Sequence, residues 1–255
     1  MKFTTEYPNI IEDAIKKMEV KGKYLKDGGL LGGKLKDYFY CCLKDNTLSF
    51  WNGNTTFIVN YDVHVEGIED GEFFGSISKM LAYMKKFKGE TSFFVGDFVS
   101  VSDGSKQASI PKVVNHPDWE AIERIKGMLS HVVYEPAFET LWAFGKGQFE
   151  GAFQMFGKDF QDAISLLELC RRGVYKLDFD GNECVLSSNS GIEQSSITPS
   201  LIQSTGEPAT LEYSSPLHAF FDKDELINFY VKDAFPLLIV SHNKKILKAP
   251  FMAGN

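Results

Sequence analysis

Short runs of β-branched and aromatic residues, separated by turn residues, fill most of this chain. In the first half "DYFYCCL", "NTLSFW", "TTFIVNYDVHV", "TSFFVGDFVSVSD" and "KQASIP" read as strands. Asp45-Asn46, Asn52-Gly53-Asn54 and Asp103-Gly104 read as the turns between them. The second half continues in the same style with "GQFEGAFQMF", "VYKLDFD", "ECVLSSN", "ATLEYSS", "LINFYVKD" and "PLLIVSHNKKILKAP". Asp180-Gly181-Asn182 fits a tight hairpin turn. Helical spacing is sparse. "PNIIEDAIKKM" puts Ile11, Ile15 and Met18 on one stripe, and "SISKMLAYMKKF" does so with Ile77, Met80, Leu81, Met84 and Phe87. "KDFQDAISLLELCRRG" turns Phe160, Ala163, Ile164 and Leu167 inward and closes at Gly173, a C-terminal cap. A short fourth helix is expected at "SPLHAFFDK".

The two halves echo one another. "EDAIKKM" over 12–18 resembles "QDAISLL" over 161–167, and each half runs helix, strands, helix, strands. Repetition at half the chain length implies two copies of one domain. The expected class is α+β: two similar β-rich domains, each with two helices, at 1–111 and 148–255. The segment 112–147, with "HPDWEAIERIKGML" and "YEPAFETLW", reads as a connector with a helical piece.

Composition bounds the function. The 255 residues, 44% hydrophobic and 24% charged, can bury two cores. No apolar run approaches the roughly 18–20 residues that span a bilayer, and the first residues lack a signal-peptide core. An intracellular protein with no membrane partner is expected. A net charge of -7 argues against wrapping nucleic acid with the whole surface. It leaves room for a local cationic path, because screening acts over about 8 Å. One such stretch stands out: "GSISKMLAYMKKFKG", over 75–89, holds Lys79, Lys85, Lys86 and Lys88 and no acid.

Candidate chemistry is thin. Cys41, Cys42, Cys170 and Cys184 form no CxxC pair and read as buried reduced thiols, and the five histidines are scattered. Neither a metal nor a cofactor is expected. No nucleophile elbow, phosphate-binding loop or dinucleotide fingerprint occurs, so catalysis is not expected either. Asp178, Asp180 and Asn182 alternate as in a calcium loop, but Asn189 stands where the closing glutamate belongs, which favours a hairpin.

The order and spacing of "SISKML", "GKDFQDAISLLELC" and "HAFFDKDELINFYVKDAFPLLIVSHNKKILKAP" resemble the DNA sliding clamps, in particular the proliferating cell nuclear antigen type. Within the last run lie Phe220-Phe221, Asp233-Ala234-Phe235-Pro236 and Leu247-Lys248-Ala249-Pro250. The resemblance implies a homotrimeric ring of six domains, with helices lining a hole that double-stranded DNA threads. It implies DNA-facing cations at Lys16, Lys79 and Lys223, with Lys17, Lys85 and Lys86 extending the first two helices. Such contacts hold phosphates without reading bases. In the third helix the family's basic positions fall near Asp162, Ser165 and Leu169, a departure for which Arg171 and Arg172 compensate.

The resemblance also implies an apolar pocket for short peptides of a DNA polymerase and a clamp loader. Its wall would be Pro236, Ala249 and Pro250, with Phe251 nearby, and Trp51 falls close to a pocket position of the first domain. Trp51 and the five residues after it depart from the family's polar-aliphatic pattern, which marks a divergent member. A second reading is a non-ring, clamp-like interaction protein: a clamp client, an inhibitor or a viral structural component. A client would present Leu217, Phe220 and Phe221 as its binding peptide, with Ser214 where the glutamine stands.

Overall fold

The computed structural model describes residues 1–19, 37–53, 57–113, 123, 127, 132–134, 142–144, 147–170, 174–214 and 217–250. The chain divides into two compact units, Met1–Ile125 and Lys126–Asn255.

In the first unit an antiparallel sheet is built from β5 (Glu66–Glu69), β1 (Lys2–Thr5), β7 (Thr91–Val95), β8 (Phe98–Ser102) and β9 (Gln107–Pro111), in that spatial order. Another runs β4 (Phe57–His64), β3 (Thr47–Gly53), β2 (Tyr38–Lys44), β6 (Gly71–Ser76). Helix α1 (Pro8–Lys17) packs on β4 and on α2 (Ile77–Met84), and α2 packs on β6 and β9. The β2–β3 hairpin turns on Asp45 and Asn46, whose φ angles of 48° and 65° are those of a two-residue type I′ turn.

The second unit begins with a small sheet of β10 (Val132–Tyr134), β11 (Trp142–Phe144) and β12 (Gly147–Gln148). It then repeats the first unit's topology. One sheet runs β17 (Gln203–Gly206), β13 (Gly151–Phe156), β19 (Leu226–Val231), β20 (Leu237–Val240), β21 (Lys244–Lys248). The other runs β16 (Gln194–Ile197), β15 (Cys184–Asn189), β14 (Val174–Phe179), β18 (Ala209–Ser214). Helix α3 (Gly157–Cys170) follows β13 as α1 follows β1, and a four-residue 3-10 turn (Leu217–Phe220) stands where α2 stands in the first unit.

The cores repeat as well. Phe3 on β1 stacks on Phe93 on β7 at 4.5 Å and 9°, and Phe153 on β13 stacks on Phe229 on β19 at 4.7 Å and 9°. Ala14, Ile15 and Met18 are buried, as are Ala163, Ile164 and Leu167, so the echo in sequence is an echo of core faces.

The structure departs from the sequence-based expectation at several points. Asn52 and Gly53 are strand residues of β3, not a turn; the Asn52 side chain points inward and its Nδ2 donates to the Met18 carbonyl at 2.7 Å, capping α1. The fourth helix is only a four-residue 3-10 turn, on which Leu217, Phe220 and the adjacent Phe221 are all buried. Burial of the same three residues makes them core rather than a presented client peptide. Three strands carry no signal in the sequence: β5 "EGIE", β16 "QSSI" and β17 "QSTG" are four-residue polar edges without alternation. Two strands, β10 and β11, lie within 112–147, where the sequence suggests a helical piece; most of "HPDWEAIERIKGML" falls outside the described residues.

Candidate nucleic-acid interface

The basic helix is held at its start by an acid that no sequence motif marks. Asp37 Oδ1 accepts from the Ser78 amide at 3.0 Å, and its Oδ2 accepts from the Ser76 and Ser78 hydroxyls at 2.8 and 2.9 Å. Ser76 is the N-cap, its Oγ accepting from the Lys79 amide. The carboxylate here satisfies the Ser78 amide, which has no partner inside the helix, and meets the positive end of its dipole. Asp37→Ala should therefore lower stability by about 1–2 kcal/mol. Equilibrium urea unfolding reads this directly, and an unshifted midpoint would show that the cap contributes nothing.

Ile77, Met80, Met84 and Phe87 are buried beneath α2 and its extension. Lys79, Tyr83 and Lys86 fall on the opposite, exposed side, as helical spacing requires. Lys85 and Lys88 are exposed too. Turns continue past the helix, with the Lys86 amide donating to the Tyr83 carbonyl at 2.8 Å and Phe87 to Met84 at 3.1 Å. Lys106, which the sequence pattern does not single out, joins this group: its Nζ donates to the Lys86 carbonyl at 3.0 Å from the β8–β9 turn. The Asp103-Gly104 signal locates that turn, but not its reach to the end of α2. On α1, Lys16 is exposed in the last turn and Lys17 is half-buried and engaged.

In the second unit Lys223 is exposed beyond the 3-10 turn, and its carbonyl accepts from the Lys158 amide at 2.8 Å. On α3, Ser165 and Leu169 are exposed and Asp162 is an exposed acid, so this helix presents no lysine in their place. Arg171, Arg172 and Phe251 lie outside the described residues. Pro236, Ala249 and Pro250 stand around β20 and β21 in this unit, Pro236 and Pro250 half-buried. Trp51 belongs to the first unit, on β3; its indole N–H is buried with no hydrogen-bond partner among the described residues.

The remaining candidates are structural. Cys42 and Cys170 are only half-buried, against the expectation of four buried thiols; Cys41 and Cys184 are buried, and burial raises both thiols well above their ordinary pKa, which keeps them protonated and inert. Asp180 Oδ1 accepts the Asn182 and Glu183 amides at 2.8 and 2.7 Å, so this stretch is a hairpin turn. Among the described residues no group of three or more His, Cys, Asp or Glu is arranged to hold a metal ion, and no helix is long and apolar enough to cross a membrane.

No family model and no curated protein matches the sequence. Solved structures match in fold over the whole chain. Archaeal PCNA from A. fulgidus, solved with the C-terminal region of FEN-1 bound, superposes with a TM-score of 0.68 at 12% identity, over 100% of this chain and 99% of that one. The DNA polymerase III β subunit of Thermotoga maritima gives 0.71 at 13% identity, over 100% of this chain and 66% of that one. The PCNA2–PCNA3 complex of Sulfolobus tokodaii gives 0.68 at 12% identity, over 98% and 99%. The chain thus spans nearly the full length of the PCNA chains and just under two thirds of the bacterial β subunit. With its repeated two-sheet units and the basic helix of the first, the chain has the fold of the DNA sliding clamps.

Proposed function

We propose that this chain is a sliding-clamp subunit, a processivity factor that closes as a ring around double-stranded DNA and tethers a polymerase. The observation that carries the reading is the duplicated clamp unit with a purely basic, exposed helix face on an otherwise acidic chain. Six such units close a ring of this type, and a chain with two supplies them as a homotrimer. Its end-to-end match to PCNA chains favours that count over the dimer of a longer β subunit. The role is topological rather than catalytic, and the setting is intracellular.

The cations Lys16, Lys17, Lys79, Lys85, Lys86 and Lys223, with Arg171 and Arg172, would meet phosphates without reading bases. Clamp domains at 1–111 and 148–255 would flank a connector at 112–147. Pro236, Ala249 and Pro250, with Phe251, would form the wall that receives short peptides from polymerase and loader, and Trp51 would take a pocket position of the first domain. The FEN-1 segment seated on A. fulgidus PCNA supports this mode of partner binding.

Two measurements test the reading. Light scattering should give roughly 86 kDa, three times the 28.7 kDa subunit. Once loaded, the protein should stay on circular DNA and be lost when the circle is cut. A stable dimer removes the homotrimer. Equal retention on circular and linear DNA removes encirclement.

A further inference from the structure

The repeat lets the two units be compared position by position. Ala14-Ile15 on α1 corresponds to Ala163-Ile164 on α3, so Lys16 and Lys17 correspond to Ser165 and Leu166. The lysine-only stretch 75–89 corresponds to the segment after β18, where Lys223 stands among Asp222, Asp224 and Glu225. Lys106 and Lys244 end equivalent turns: the Asp103 amide donates to the Lys106 carbonyl, and the Ser241 amide to the Lys244 carbonyl. Their fates differ. The Lys106 side chain is 58% exposed, close to the lysines of α2, with one carboxylate, that of Asp103, at 3.8 Å. The Lys244 side chain is 5% exposed and is held by Asp222 at 2.9 Å and Glu225 at 2.8 Å.

Among the described residues, the lysines that face water on α1, α2 and the β8–β9 turn of the first unit are therefore missing, neutralised or flanked by acid in the second. Lys158 and Lys223 remain, but Asp159, Asp162, Asp222 and Asp224 accompany them. The outer side of α3 adds Leu166 and Leu169, the latter 79% exposed, and a phosphate gains nothing from an alkyl side chain.

We infer that the two units have divided their tasks: the first makes the main phosphate contacts, through Lys16, Lys79, Lys86 and Lys106, while the second, which holds Lys223, Arg171 and Arg172, encloses the duplex and adds little affinity. The inference rests on the clamp reading above. The partner is the sugar-phosphate backbone of duplex DNA, chosen by charge complementarity, and Lys106 is a contact residue supplied by a β-turn rather than by a helix. Three such units around a ring would meet the duplex at three cationic stations instead of six.

The test is binding of a short fluorescent linear duplex, which a ring can thread without a loader, measured by anisotropy across a series of salt concentrations. One variant carries Lys79→Gln, Lys86→Gln and Lys106→Gln; the other carries Lys158→Gln and Lys223→Gln. All five positions are exposed and glutamine retains helix propensity, so both proteins should fold, which native mass and circular dichroism verify. The first variant should bind at least about tenfold more weakly, with the slope of log K against log salt flattened by about 0.9 for each phosphate that is no longer neutralised. The second should match the parent protein within about twofold. Equal weakening in both variants overturns the division of tasks while leaving DNA binding intact. A parent protein that fails to bind at any salt concentration removes the DNA reading, and the inference falls with it.

Discussion

Gly157→Ala should destabilise the second unit by about 3 kcal/mol, at the upper end of what overpacking costs. Gly157 opens α3 directly behind β13, and the loop after the 3-10 turn crosses it closely: its amide donates to the Glu225 carbonyl at 2.7 Å. A Cβ built at this position lies 2.0 Å from the Asp222 carbonyl oxygen and 3.0 Å from its carbon. That neighbour is backbone, and it is fixed from several sides. Lys158 donates to Lys223, Gln161 Nε2 donates to the Phe221 carbonyl, and Asp222 and Glu225 hold Lys244. The loop therefore cannot retreat without breaking hydrogen bonds. The loss should lower the unit's thermal midpoint by something on the order of 10 °C. Gly89→Ala is the control: its φ of +72° carries a strain cost, but open space surrounds it, so about 1 kcal/mol is expected. Differential scanning calorimetry of both variants decides the matter. Equal midpoints would mean that the loop over Gly157 yields freely.

Lys244→Met should cost about 2–3 kcal/mol, below the usual range for a broken buried pair because Asp222 remains half in water. The side chain of Glu225 is only 13% exposed, and that of Asp222 is 50% exposed. Removing the lysine leaves the Glu225 carboxylate largely desolvated with its charge uncompensated. Adding Glu225→Gln should recover about 1 kcal/mol, because a neutral amide is less costly to bury unpaired. Chemical denaturation of the single and double variants checks this, and a double variant no more stable than the single would refute the assigned cause. The pair also fixes a pH dependence. Burial disfavours the charged ammonium, but hydrogen bonds to Glu225 and Asp222 more than offset it and raise the Lys244 pKa above 10.5. A raised cationic pKa contributes stability that is fully present below the unfolded value. The contribution should therefore hold through neutral pH and disappear only as pH climbs past that value into the folded range.

The client reading fails for a plain reason. Leu217, Phe220 and Phe221 have the spacing of a docking peptide, but the spacing of apolar residues alone cannot tell a presented motif from a core stripe. Burial decides it. The polar edges β5, β16 and β17 show the converse: they owe their strand conformation to a neighbour's ladder and carry no pattern of their own.

What the sequence determined by itself was the local chemistry: the helical stripes Ile11-Ile15-Met18 and Phe160-Ala163-Ile164-Leu167, the Asp45-Asn46 and Asp180-Gly181 turns, and the lysine-only stretch that pointed to a polyanion. Those features follow from side-chain period and backbone dihedral preference, which are properties of neighbouring residues. The tertiary structure decided which lysines are available. Lys106 and Lys244 occupy the same place in the repeat, yet Lys106 is exposed near the basic helix with only Asp103 at 3.8 Å, while Lys244 is buried between two carboxylates, because Asp222 and Glu225 are brought to it from some twenty residues away. The same is true of Asp37, which reaches across 39 and 41 residues to cap α2. Charge pairing over such distances is set by strand order, and strand order is not written in any one segment.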